Sequence, residues 1–128
     1  MPGILFLCIH NAGRSQMAAG FARTLSNGAV DILSGGSEPA DSVNPVAVEV
    51  MAEIDIDISQ FAPQKYNDEL LKSVDVVVTM GCGDTCPYIP GKRYVDWPLD
   101  DPKGRPIEDV RRIRDEIRHH VTDLLAQL

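Results

Sequence analysis

Long apolar runs, basic residues and cysteines are all scarce in this chain of 128 residues. No apolar stretch approaches the roughly eighteen residues that a membrane span needs, so no membrane contact is expected. The start of the chain lacks the charged and apolar regions of a signal peptide, which predicts a cytoplasmic protein. Twelve basic against nineteen acidic residues give a net charge of −7. This balance argues against nucleic acid as a partner, because such binding needs a basic surface.

Only three cysteines are present, Cys8, Cys82 and Cys86. An odd number in a chain without a secretion signal argues against a disulfide scaffold and favours catalytic or redox use. The rest of the composition, 44% apolar and 24% charged residues, is typical of a globular protein. At this length we expect one domain over residues 1–128.

Strand and helix patterns alternate along the chain. Apolar or β-branched stretches predict strands over residues 3–7, 30–34, 74–80 and 93–97. Helical spacing predicts helices from Ser15, from Pro45 with Asn44 as its cap, over residues 67–73, and from about Pro106. Residues 54–59 alternate between apolar and polar. We expect a loop there rather than an exposed strand, because Asp, Ser and the nearby Pro63 are poor strand formers.

The helical periodicity also predicts which side chains are buried. In the first helix, Met17, Phe21 and Leu25 share one face. In the last helix the buried face is expected to hold Val110, Ile113, Ile117, Val121, Leu124 and Leu128, with Arg111, Arg112, Arg114 and Arg118 in solvent. The alternation predicts an α/β fold in three layers, a four-stranded parallel sheet with helices on both faces. Ligands of such sheets bind at the carboxyl ends of the strands.

Cys8 stands at the end of the first predicted strand, and five residues separate it from Arg14 and Ser15 at the start of a helix. A helix N-terminus and the amide groups of the intervening loop favour an anion, and Arg14 adds a planar fork of donors for two of its oxygens. The same positive field favours the thiolate of Cys8. The segment therefore predicts a nucleophilic cysteine for phosphate-shaped substrates, the alternative being a buried core cysteine. The loop residues that would line the cradle are Ile9, His10, Asn11, Ala12 and Gly13.

Asp100 and Asp101 follow the fourth predicted strand and precede Pro102. If Cys8 attacks an oxyanion, the leaving oxygen needs a proton, which a neighbouring carboxylic acid commonly supplies. Asp101, next to the proline, is our candidate for this acid and Asp100 is the second choice. The alternative is a simple turn, since Asp and Pro are strong turn formers.

Cys82 and Cys86 come directly after the third predicted strand. If the residues between them are helical, the two sulfurs share one face and could form a disulfide. Inert buried thiols are the alternative, as is zinc, although zinc normally takes four ligands in paired spacings. The histidines, His10, His119 and His120, are scattered, so we expect no metal site, and the His10 side chain is expected to point outward.

The segment from Cys8 to Ala18, together with Asp101 and Pro102, resembles the low-molecular-weight protein tyrosine phosphatase fold, and more closely the arsenate reductases built on it. Further matches lie at residues 34–36, 43–45, 54–59, 77–80, 100–104 and 112–117. The resemblance implies reduction of arsenate to arsenite, with Cys8 attacking arsenic while Arg14 and the loop amides hold the oxyanion. It also implies that Asp101 protonates the leaving oxygen, that Ser15 orients Cys8, and that Asn11 braces the loop.

The electron source is implied by the same resemblance. Thioredoxin-coupled members have about six residues between their last two cysteines, whereas three separate Cys82 from Cys86. They also hold potassium with acidic side chains, where this chain has Ala19 and Gln64. The loop looks most like that of actinobacterial members, which implies mycothiol as co-substrate, mycoredoxin as partner and no tightly bound cofactor.

Other functions remain open on the sequence. One is a relay of disulfides from Cys8 through Cys82 and Cys86 to thioredoxin. Another is a tyrosine phosphatase, which is disfavoured because residues 103–105 are Lys-Gly-Arg rather than the aromatic residues that would grip a phenol ring. A third is a protein that only senses phosphate or an arsenical, although binding alone needs no thiolate.

Overall fold

The computed structural model describes residues 2–81 and 92–128. Within these ranges the chain alternates between strands and helices, as expected. The strands are β1 (Gly3–Cys8), β2 (Asp31–Gly36), β3 (Val76–Thr79) and β4 (Arg93–Asp96). The helices are α1 (Arg14–Ser26), α2 (Pro45–Ala52), α3 (Asp68–Ser73) and α4 (Ile107–Ala126).

The four strands form one parallel sheet in the order β2-β1-β3-β4. Leu5 in β1 is level with Leu33 in β2 and with Val77 in β3. All six residues of β1 are buried, because this strand has a neighbour on each edge and helices over each face. The predicted α/β fold with a four-stranded parallel sheet is confirmed.

Alternate residues of β1 enter two apolar layers. Ile4 and Phe6 pack with α1, α2 and α4 in the larger layer. Leu5 and Leu7 pack with Leu71 of α3 in the smaller one. This division follows from the two-residue period of a strand, and it produces the three layers that the sequence predicted.

The two short helices begin at side-chain caps, whereas α1 does not. Asn44 Oδ1 accepts a hydrogen bond from Val46 N at 2.9 Å, and Asn67 Oδ1 accepts one from Leu70 N at 2.8 Å. The residue before α1 is Gly13, which has no side chain with which to cap. The first amide groups of α1 are therefore left without a side-chain cap at the end that faces the Cys8 loop.

Three details of the buried-face predictions are wrong. Leu25 is 44% exposed and Leu128 is 47% exposed, the latter because α4 ends at Ala126. Arg114, expected in solvent, is only 9% exposed. It lies four residues after Val110 and three before Ile117, hence on the buried stripe of α4, where it donates to Val50 O of α2 at 2.9 Å.

Element boundaries differ slightly from the expectation. The third strand is shorter than predicted, because Val74 is the C-cap of α3 and the Asp75 carboxylate accepts from Gly3 N at 2.9 Å. Residues 54–59 form no strand, and Ile58 is fully buried. Its side chain faces Gly20 of α1, so the isoleucines pack against a helix rather than under the sheet. Each helix in the described ranges is too short or too polar to cross a bilayer.

Candidate active site

Cys8 is the last residue of β1, and its sulfur lies at the floor of the loop that follows. The thiol is 2% exposed. Asn11 N donates to Cys8 Sγ at 3.2 Å, and Ser15 Oγ lies 2.9 Å from the same sulfur. Two polar groups therefore converge on a buried sulfur, so Cys8 is held by hydrogen bonds rather than packed as an apolar core side chain.

The direction of these hydrogen bonds follows from one backbone donor. Gln64 N can only donate, and it lies 3.0 Å from the Asn11 side-chain oxygen, Oδ1. The Asn11 amide nitrogen, Nδ2, must then face Ser15 Oγ, at 2.7 Å. With Asn11 donating to it, Ser15 is free to donate its own proton to the Cys8 sulfur.

The loop carbonyls are tied outward, so the amides that follow them point inward. Ile9 O accepts from Glu38 N at 2.8 Å and His10 O from Ala40 N at 3.0 Å, while Ala12 O accepts from Asn44 N at 2.8 Å. In a trans peptide the N–H points opposite to the carbonyl that precedes it, and the described chain has no cis peptide bond. The Asn11 amide accordingly points at the Cys8 sulfur, and the amides of His10 and Gly13 point away from these outer contacts, as the donors of an oxyanion cradle do.

Arg14, the first residue of α1, reaches over the ends of two other strands. Its Nη1 donates to Leu99 O at 3.2 Å, and its Nη2 lies 3.8 Å from Asp101 Oδ2. Only 5% of the residue is exposed. A Cβ at Gly81, which follows β3 with φ of 79°, would collide with Arg14 Nη1. A glycine at this position leaves the room that the guanidinium occupies.

Asp101, rather than Asp100, faces the cysteine loop. Asp101 Oδ1 accepts from Lys103 N at 3.0 Å, which leaves Oδ2 toward Arg14. Pro102 packs closely on Gly13. A Cβ added to Gly13 would lie 2.7 Å from Cγ of Pro102. Asp100 instead turns to Arg112, with its Oδ2 3.4 Å from the guanidinium. The geometry supports the first choice of acid over the second.

A cavity of about 320 Å³ opens above the thiol. Its ionisable lining groups are Cys8, His10, Arg14, Asp101 and Lys103. The remaining lining residues are small or neutral, namely Ala12, Gly13, Ala40, Ser42, Asn44, Pro45, Pro102 and Gly104. The His10 ring is tied to Glu38 O at 3.0 Å and stands at the exposed rim, in agreement with the expectation that it points outward.

Comparison with known proteins identifies the family to which the chain belongs. The family model described as low molecular weight phosphotyrosine protein phosphatase matches residues 3–128. The chain belongs to this family. The prediction of an enzyme with this fold is thereby confirmed.

Relatives within the family carry arsenate reductase names. A glutaredoxin arsenate reductase from Synechocystis sp. is 35% identical over 131 residues, which cover 100% of this chain and 99% of its own. An arsenate reductase from Staphylococcus xylosus is 39% identical over 118 residues, which cover 90% of this chain and 89% of its own.

Among solved structures, a thioredoxin-dependent arsenate reductase from Corynebacterium glutamicum superposes with a TM-score of 0.88 at 37% identity. The match covers 99% of this phosphatase-family chain and spans 61% of the longer solved one. Nearly the whole of this chain therefore matches one part of that reductase, whose remaining residues have no counterpart here.

Two of the predicted redox residues, Cys82 and Cys86, lie outside the described residues. Of the other predicted site residues, those that line one cavity are Cys8, His10, Ala12, Gly13, Arg14 and Asp101. Ser15 and Asn11 are buried against the Cys8 sulfur, and Ile9 does not line the cavity. Sequence reasoning did not assign roles to Gly81 and Gln64. Gln16 stood in the matched motif without a role, whereas nothing in the sequence near Gln64 signals that it reaches the loop.

The potassium site implied by the family resemblance does not fit these residues. Ala19 is fully buried and has no oxygen to offer. Gln64 aims its side-chain nitrogen, Nε2, at Ser34 O at 2.8 Å, so a donor group stands where a cation would need an acceptor. No group of three or more His, Cys, Asp or Glu side chains in the described ranges could hold a metal ion.

Proposed function

We propose that the protein is an arsenate reductase that starts the reaction by attack of the Cys8 thiolate on arsenic. The observation that carries the proposal is the convergence of Cys8, Arg14 and Asp101 on one cavity. The names of relatives that match nearly the whole chain support arsenate as the oxyanion.

In the first step Cys8 forms a sulfur–arsenic bond and one arsenic–oxygen bond breaks. Arg14 and the inward amides of His10 and Gly13 hold the remaining oxygens, whose charge they neutralise. Asp101, as its carboxylic acid, gives its proton to the departing oxygen, which leaves as water. Ser15 and Asn11 N hydrogen-bond to the Cys8 sulfur and orient it for the attack.

We propose that a small thiol, mycothiol, then takes over the arsenic. Its sulfur bonds to arsenic while the Cys8–arsenic bond breaks, which returns Cys8 to the thiolate. Mycoredoxin next attacks the mycothiol sulfur, and the electron pair of the sulfur–arsenic bond passes to arsenic. Arsenic is thus reduced to arsenite while two thiols become one mixed disulfide. The volume of the cavity, about 320 Å³, supports this course because it leaves room beside a tetrahedral oxyanion.

A second candidate for the electron source is thioredoxin. Here Cys82 attacks the Cys8 sulfur, arsenite leaves with the electron pair of the sulfur–arsenic bond, and Cys86 then takes over the disulfide. The thioredoxin dependence named for the Corynebacterium glutamicum structure favours this alternative. The short spacing of Cys82 and Cys86 favours mycothiol.

A phosphatase would use the same thiolate but needs a surface for the phenol ring. The described residues that line the cavity include no Phe, Tyr or Trp. Lys103 and Gly104 stand beside Asp101 instead, so the cavity suits a compact inorganic oxyanion better than an aryl phosphate.

The deciding experiment is arsenate-dependent NADPH oxidation with two reductant systems in parallel. One holds mycothiol, mycoredoxin and mycothiol reductase, and the other holds thioredoxin and its reductase. Turnover with the first alone, kept by a Cys82→Ser/Cys86→Ser variant, is the expected result. Turnover with thioredoxin alone, lost in that variant, would establish the relay through Cys82 and Cys86.

The matched controls are Cys8→Ser, which removes the nucleophile, and the aryl phosphate assay. No turnover in either reductant system, together with hydrolysis of an aryl phosphate that Cys8→Ser abolishes, would replace arsenate reduction by phosphatase activity.

A further inference from the structure

Asn11 is a buried connector whose four polar groups are all engaged. The residue is fully buried and has φ of 50°, a backbone conformation that few residues other than glycine adopt without support. Its two donors serve the reacting groups, Cys8 Sγ at 3.2 Å and Ser15 Oγ at 2.7 Å. Whatever holds its two acceptor oxygens therefore determines where those donors point.

Two glutamines hold these oxygens. Gln16 Nε2 donates to Asn11 O at 3.1 Å and lies 3.3 Å from Asn11 Oδ1. Gln64 donates its backbone N–H to the same Oδ1 at 3.0 Å. The orientation of the Gln16 amide is not ambiguous, because a backbone carbonyl such as Asn11 O accepts only and must face the nitrogen.

The Gln64 side chain is itself anchored. Its Nε2 donates to Ser34 O near the end of β2 at 2.8 Å, and its backbone oxygen accepts from Gly36 N at 2.9 Å. The segment that carries Gln64 is thus attached to β2 through both backbone and side chain. These anchors fix the position of the Gln64 backbone N–H that donates to Asn11 Oδ1.

The oxygens gathered here are of the kind that bind hard cations. Asn11 O, Asn11 Oδ1, Ser34 O and Ala62 O surround the two amide nitrogens, with Ala62 O 3.5 Å from Gln16 Nε2. Carbonyl oxygens in such a cluster coordinate metal ions when an ion is available. Here N–H groups already point at them, and Gln16 is 1% exposed. A cation in this place would have to displace internal hydrogen bonds without gaining a carboxylate.

We propose that Gln16 and Gln64 are positioning residues for Cys8. In this proposal the Gln16 carboxamide and the Gln64 backbone N–H, which the Gln64 carboxamide anchors to Ser34 O, replace a bound monovalent cation in holding Asn11. The inference rests on the proposed function, in which Cys8 is the nucleophile. Its consequence is that the thiolate is set by hydrogen bonds within the chain, so that reactivity is independent of potassium.

The test measures alkylation of Cys8 by iodoacetamide against pH, with the labelled peptide resolved by mass spectrometry. This readout needs no arsenate, so it stays informative if the proposed reaction fails. Gln16→Met and Gln64→Met keep side-chain length while removing the amide. Each is expected to slow labelling near neutral pH about two- to tenfold, the size of one hydrogen bond, and to move the profile to higher pH. Gln60→Met, on an exposed residue, is the matched control.

Cation dependence is measured in the same assay with potassium chloride or tetramethylammonium chloride at equal ionic strength. The wild-type protein is expected to label equally fast in both salts, a result that needs no variant to fold. Gln64→Glu, which exchanges the donor for a carboxylate, is expected to label faster in potassium. A wild-type protein that labels faster in potassium, or amide variants with native thermal stability and an unmoved profile, would overturn the inference.

Discussion

At the scale of single residues, the site depends on the space left by two glycines as much as on functional groups. Arg14 can pass over the end of β3 only because Gly81 lacks a side chain, and Pro102 can approach the loop only because Gly13 lacks one. Both close approaches bring a guanidinium or a carboxylate over Cys8. The reactive geometry is therefore sensitive to atoms that carry no chemistry of their own.

Gly81→Ala tests this at Arg14. The added methyl group collides with the guanidinium, and we expect the KM for arsenate to rise about tenfold or more, since about 1.4 kcal/mol of lost binding is a tenfold change. Gly28→Ala is the matched control, because Gly28 has φ of 85° but nothing within 4 Å of an added Cβ. Both variants should lose some stability from the positive φ, roughly 1–2 kcal/mol, as thermal unfolding would show. Equal KM values for the two variants would contradict the role of this space.

At the scale of elements, α4 is joined to α2 by charged as well as apolar contacts. Arg114 and Arg111 both reach Glu53, at 2.8 and 2.7 Å. Hydrogen bonds from Arg111, and after them those from Arg114, hold the pKa of Glu53 below its ordinary value of 4.5. Because α2 is preceded by Asn44, which lines the cavity, this junction supports one wall of the site.

The lowered pKa of Glu53 predicts how stability changes with acid. A depressed folded-state pKa means that the unfolded state binds the proton more readily, so the contribution is complete above pH 4.5 and is lost as pH falls through the lower folded value. The difference in urea midpoint between wild type and Glu53→Gln should therefore shrink on going from neutral pH to about pH 3. Glu69→Gln, at an exposed position in α3, is the control. A difference that stays constant with pH would exclude the ion pairs as its source.

Packing of α4 gives a second prediction at this scale. Ile117 is fully buried whereas Leu128 is 47% exposed. We expect Ile117→Ala to lower the free energy of unfolding by about 2–5 kcal/mol and Leu128→Ala by less than about 0.5 kcal/mol. Comparable losses in denaturant unfolding would show that the end of the chain is packed after all.

At the scale of the whole molecule, an acidic protein holds an anion site. The net charge of −7 repels oxyanions at long range, so the attraction at the proposed site has to come from nearby groups, namely Arg14, Lys103 and the loop amides. The parallel topology gathers these groups, because the carboxyl ends of β1, β3 and β4 meet at one edge.

Oxyanion binding should therefore stabilise the native protein measurably. Arsenate at one hundred times its Kd should add about 2.7 kcal/mol to the free energy of unfolding. Arg14→Gln should lose most of the rise in Tm, as seen by differential scanning fluorimetry with potassium chloride at equal ionic strength as the reference. A rise in Tm that survives in Arg14→Gln would show that the anion binds elsewhere.

Much of the fold and site could be predicted from residue order because the relevant signals are local. The apolar run before Cys8, the helical spacing after Ser15 and the Asn44–Pro45 cap each act within one turn or strand. Arg114 was misjudged although its spacing from Val110 and Ile117 was visible, because its charge was given more weight than its position.

The sequence by itself determined the parallel α/β class and the place of Cys8, the proposed nucleophile, in one loop with Arg14. Only the tertiary structure decided which aspartate faces that loop, that Gly81 leaves space for the guanidinium, and that Gln64 anchors Asn11 from 53 residues away. The physical reason is range. Strand and helix preferences come from neighbouring residues, whereas hydrogen bonds and steric room between loops depend on where the packed sheet brings distant segments together.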